Sequence, residues 1–116
     1  MIALLLACQL GGSDTAASED CDREPALSWE NFGESYMALH CNGCHSSLLP
    51  SGQRGGAPLG MDFDTWSDVV LNVERIRSRA LGDAPDMPPG GGPTETDLEM
   101  FEEWLACEVE SAAEAE

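Results

Sequence analysis

Cys41-Asn42-Gly43-Cys44-His45 is the densest piece of chemistry in the chain. Two thiols at this spacing, at a helix end, can both add to the vinyl groups on one edge of a haem. The adjacent imidazole then sits under the iron as its proximal ligand. Three other uses of the pair compete. A redox dithiol has the same spacing but favours a βαβ setting, which the pattern here lacks. A zinc site needs four ligands, and Cys21, Cys107 or His40 would have to complete it, because no second C-x-x-C exists. A plain disulfide is the third. The histidine directly after the second cysteine favours one covalent haem c per chain, with Cys41 and Cys44 as anchors and His45 as axial ligand.

A six-coordinate iron needs a second axial ligand, and Met87 is the residue expected to supply it. It lies in Pro85-Asp86-Met87-Pro88-Pro89-Gly90-Gly91-Gly92-Pro93. A residue before proline is pushed out of the helical region, so these prolines stiffen the loop that would present the thioether. Methionine is a soft ligand, and His/Met ligation raises the potential. The competing donors are Met37, Met61, Met100 and His40. Met37 is on the helix that carries the motif, Met100 is off its helix's apolar stripe, and His40 is expected to face solvent. Met61, in a loop before a helix, is the remaining rival. A closed His/Met set suits single-electron transfer. An open position would suit a gas sensor or the haem subunit of a larger oxidoreductase complex.

Three helical patterns must position these groups. Trp29, Phe32, Tyr36 and Leu39 recur at helical spacing over residues 28–40, with Ser28 as cap. Trp66, Val69, Val70, Val73 and Ile76 line one face over residues 64–80, with Asp64 as cap and Arg77 and Arg79 at the negative end. Leu98, Phe101, Trp104 and Leu105 line a third over residues 94–108, where Thr94 and Asp97 resemble a capping box. The acidic tail over residues 110–116 is expected to fray. The intervening segments, residues 46–62 and 82–93, hold too many glycines and prolines for helix or central strand, and wrapping a cofactor is a role that fits them. The expected fold class is all-α.

With these elements in place, the chain resembles a small monohaem cytochrome c of the first class over roughly residues 28–107, within an expected domain of residues 28–109. The family carries a glycine eight residues before the first haem cysteine and an aromatic four before it; here these are Gly33 and Met37, the second a departure. Its last helix carries an aromatic that crosses the first helix near the glycine, a place matched by Trp104. A family proline that offers its carbonyl to the proximal imidazole is matched by Pro58, in Gly56-Ala57-Pro58-Leu59. The resemblance implies three main helices and Gly/Pro-rich loops around one covalent haem. Cys21 and Cys107 then have no haem role. Spare cysteines in an exported domain usually pair, and the crossing of first and last helices brings a bridge between them within reach.

The charge is extreme: 22 acidic residues against 5 arginines and no lysine, a formal net charge of -17 over 116 residues. Nucleic acid is excluded as a partner, since nothing here neutralises phosphates. A redox protein with a basic docking surface is the expected partner; the acidity also serves solubility. Met1 to Cys8 resembles the end of a bacterial lipoprotein signal, with Leu5-Leu6-Ala7-Cys8 as lipobox. Residues 1–7 would then be a signal remnant and Cys8 the acylated residue. The apolar run is short and has no basic start, which points to a true start upstream. Residues 8–27 read as lipid-anchor cysteine and flexible acidic tether. The expected location is the periplasmic side of a bacterial membrane, with membrane contact only through the anchor.

Overall fold

The structure, a computed structural model, describes residues 21–115. The expected signal remnant, Cys8 and most of the tether lie outside the described residues. The protein is all-α, and no strand occurs among the described residues. No helix among them is long and apolar enough to cross a membrane.

Ser28 opens the first helical unit as expected. Its hydroxyl accepts from Asn31 N, and the Asn31 side chain accepts in return from Ser28 N. The first turn, Trp29–Gly33, is π-helical, with Gly33 N donating to Ser28 O at 2.9 Å. It runs into α1, Glu34–His40, which delivers Cys41 at its end. The second pattern divides into α2, Trp66–Leu71, and α3, Val73–Ala80. Asn72 interrupts it with φ -111° and ψ 16°, its side-chain amide donating to Asp68 O at 2.8 Å. The cap is Thr65, in a reciprocal box with Asp68, and not Asp64. Asp64 instead accepts from Ser47 N at 2.6 Å, tying the loop after the motif to the start of α2.

Thr94 and Asp97 form the expected capping box of α4, Glu95–Trp104. The helix then continues through a π-helical segment, Leu105–Val109, into α5, Glu110–Glu114. The expectation that the tail frays is therefore corrected. Ala112 and Ala113 pack against the core, and Glu110 pairs with Arg77 of α3. Residues 21–27 are likewise held to the domain. The Arg23 guanidinium donates twice to the Glu103 carboxylate at 2.8 Å, Leu27 packs on the core, and Cys21 is bridged to Cys107 with Cα atoms 5.7 Å apart.

The core is one cluster drawn from every helical unit, including Tyr36, Met37, Phe63, Val69, Val73, Ile76, Phe101, Trp104 and Val109. Its centre is Trp104, fully buried, with Trp29, Phe32 and Trp66 all within 6.4 Å between ring centroids. The indole N–H donates to Glu108 at 2.7 Å, so this polar group is not stranded by burial. The indole lies directly on Gly33, where a Cβ would come within 2.6 Å of three ring carbons. Only glycine lets the first helical unit and α4 approach this closely, and that crossing aims the end of α1 and the motif beyond it.

Candidate functional site

Cys41 follows the last turn of α1, with its N–H on Met37 O at 2.9 Å. The chain then tightens: Cys44 N and His45 N both donate to Cys41 O, at 3.2 and 3.0 Å. These bonds bring both thiols and the imidazole together at one helix end. Cys41 is half-buried against the core, its sulfur 3.9 Å from that of Met37, and burial pushes its thiol up to about 12. A catalytic dithiol depends on a depressed thiol, so this environment runs opposite to what a redox dithiol needs. Cys44 sits over Gly55, where a Cβ would lie 2.9 Å from the sulfur and φ is +59°. Glycine is needed there both for the backbone conformation and for the close approach.

His45 is clamped on three sides. Its ring stacks on Phe63, centroids 4.4 Å apart and planes at 25°. Its backbone carbonyl accepts from Phe63 N at 2.8 Å, and the neighbouring Asn42 amide donates to Phe63 O at 3.1 Å. Its Nδ1 lies 2.7 Å from Met61 O. A carbonyl can only accept, so Nδ1 carries the proton and Nε2 keeps the lone pair that could bind a metal.

The carbonyl under the ring was expected to be that of Pro58; it belongs to Met61. Pro58 O is occupied otherwise, accepting from Met61 N at 3.1 Å and from Arg54 Nη2 at 2.9 Å. The turn between them carries the chain three residues further before a carbonyl faces the imidazole. Met61, the rival axial donor, thus meets His45 through its backbone.

Arg54 is the residue that sequence reasoning missed. It is 1% exposed, and charged side chains are almost never so buried unless paired. Its guanidinium donates to the carbonyls of Ser46, Ala57, Pro58 and Met61 and lies 2.7 Å from Asp62 Oδ1. That last contact is an ion pair without hydrogen-bond alignment, since Asp62 Oδ1 makes no hydrogen bond. One signal was present in the sequence: Arg54 is the lone base in the glycine-rich segment of a chain with five.

Met87 is half-buried on a loop fastened to the end of α3. Asp86 N and Met87 N both donate to Arg79 O, at 2.9 and 3.0 Å. The Arg79 guanidinium grips Asp86 with three bonds of 2.8 to 3.1 Å and holds its carboxyl below the ordinary value. The loop's other end passes the motif, because a Cβ on Gly92 would be 3.7 Å from His40 Nδ1. His40 itself rests on Tyr36, ring centroids 4.7 Å apart, rather than standing free in solvent.

The donors present fit a covalent haem. Cys41 and Cys44 are not bridged, whereas the other two cysteines among the described residues are paired with each other. That pairing removes Cys21 and Cys107 as zinc ligands. No group of three or more His, Cys, Asp or Glu side chains that could hold a metal occurs among the described residues. A separate groove of about 980 Å³ runs along α2 and α3, past Val70, Asn72, Arg75 and Arg79; neither the motif nor Met87 lines it. In comparisons with known proteins, the chain matches no family model, no curated protein and no solved structure.

Proposed function

We propose that this chain is an exported c-type cytochrome that passes single electrons, with a cytochrome c-like domain wrapped around one haem. Cys41 and Cys44 anchor it covalently, and His45 and Met87 are its axial ligands. When bound, the haem supplies the one-electron iron couple. The protein's part is to hold the ligands still, so that little moves between oxidation states. The observation that carries the reading is the clamp on His45. Its Nδ1–H is spent on a backbone carbonyl and its ring is stacked on Phe63, directly after two unbridged thiols. Such an outer hydrogen bond sets the tautomer and strengthens the ring as a metal donor. The fastened, proline-rich loop supports Met87 as a permanent sixth ligand rather than one that leaves to admit a gas.

The charge of -17 makes a redox protein with a basic face the fitting partner, met by electrostatic steering. Cys8 remains the proposed lipid anchor, which would hold the domain on the periplasmic side of a bacterial membrane. The test is covalency. The chain is expressed with a haem-maturation system, denatured and extracted with acidic organic solvent. The colour is expected to stay with the protein, at one added haem by mass. Colour that leaves with the solvent, or a mass without haem, refutes the proposal.

A further inference from the structure

We infer that Arg54 is a positioning residue for His45: its buried guanidinium holds the Met61 carbonyl where the His45 Nδ1–H needs an acceptor. The two donors converge on one oxygen, Arg54 Nη2 at 3.0 Å and His45 Nδ1 at 2.7 Å. A carbonyl oxygen has two lone pairs, and here both are engaged.

The segment that delivers this carbonyl is otherwise shaped by short local turns and by the Ser47–Asp64 tie. Gly55, Gly56 and Gly60 all have positive φ, and two of its three leucines stand out in solvent, Leu48 at 89% and Leu59 at 69% exposed. Apolar burial alone therefore does not hold residues 46–62 together, with Met61 the one residue of the segment packed on the core. The guanidinium does, by reaching carbonyls at both ends of the segment, Ser46 at 2.6 Å and Met61 at 3.0 Å, with Ala57 and Pro58 between. Asp62 balances its charge. Lysine cannot replace this, because an ammonium is a point donor and the arginine fork is planar with five N–H groups.

The consequence for the iron rests on the reading of His45 as an axial ligand; the positioning itself does not. A firm Nδ1–H bond makes the imidazole a stronger donor, which favours ferric iron. Loosening the Met61 carbonyl weakens that donor, so the potential rises. Arg54→Lys keeps the positive charge and removes the fork, which separates positioning from the simple field of a charge.

The test uses the chain as purified from a haem-maturing host, in the reduced state, by nitrogen-edited NMR of the imidazole. In the unmutated protein the His45 Nδ1 proton should exchange slowly with water. In Arg54→Lys it should exchange at least tenfold faster while the Trp104 indole proton is unchanged, and the potential should rise. Equal His45 exchange in the two proteins overturns the inference; faster exchange with an unchanged potential in a protein that carries haem supports the positioning and overturns His45 as the axial ligand. If Arg54→Lys does not fold, the unmutated protein decides in rising urea. The His45 Nδ1 and Arg54 Nε protons should then be exposed together, and an Arg54 proton still protected after His45 has opened overturns the inference. Protein without covalent haem but with the coupled His45 and Arg54 behaviour overturns the haem proposal and supports the positioning role.

Discussion

Replacing Gly33 by alanine should destabilise the protein by about 2 kcal/mol, although alanine is the better helix former. Gly33 has φ -63° and ψ -46°, ordinary helical values, so alanine meets no backbone strain. Its helix propensity alone would stabilise by about 1 kcal/mol. The obstacle is space. The new Cβ would come within 2.6 Å of three indole carbons of Trp104, where real Cβ contacts essentially never fall under 3.0 Å. The indole has no room to retreat, being fully buried between Trp29, Phe32 and Trp66. Overpacking of this kind costs about 1–3 kcal/mol, and a rigid ring against backbone belongs at the upper end. The difference is a net loss of about 2 kcal/mol. Trp104→Phe alone should also destabilise, by about 2–3 kcal/mol, through lost burial and the lost Glu108 hydrogen bond. Together the two changes should cost at least about 1 kcal/mol less than their sum, because the smaller ring leaves room for the methyl. Urea denaturation of the four proteins measures this. A neutral or stabilising Gly33→Ala, or strict additivity, would refute the account of the helix crossing.

Further expectations concern the ligand loop and the outer staples. Met87→Ala should abolish the ferric sulfur–iron band in the near-infrared and open the iron to carbon monoxide; rapid stoichiometric binding by the unmutated protein would instead favour a sensor. Non-reducing peptide maps should show Cys21 joined to Cys107. Replacing both by serine should lower stability by up to about 4 kcal/mol, the chain-entropy value for a loop spanning 86 residues. The Arg23 guanidinium holds the Glu103 carboxyl below its ordinary value of 4.5. The pair therefore stabilises the fold above that value, and its contribution disappears as pH falls through the lowered one. Carboxyl NMR should show the Glu103 midpoint rising in Arg23→Gln; an unchanged midpoint would contradict the pairing.

By itself the sequence determined the local patterns that depend on adjacency along the chain. The five-residue motif, the Ser28 cap, the Thr94–Asp97 box and the three apolar stripes are local patterns, and the all-α class follows from them. What only the tertiary structure decided depends on residues distant in sequence meeting in space. Which carbonyl lies under His45 is one case. A turn moves the acceptor from Pro58 to Met61, and no spacing rule encodes that shift. The burial of Arg54 is another, because a lone arginine among glycines reads as solvated until four carbonyl acceptors and the Asp62 carboxylate are seen around it. The helix break at Asn72 and the order of Glu110–Glu114 are set by packing and by the Arg77 ion pair, against weak local preferences. Side chains one to four residues apart are constrained by covalent geometry alone. Those many residues apart are constrained only once the core around Trp104 has formed.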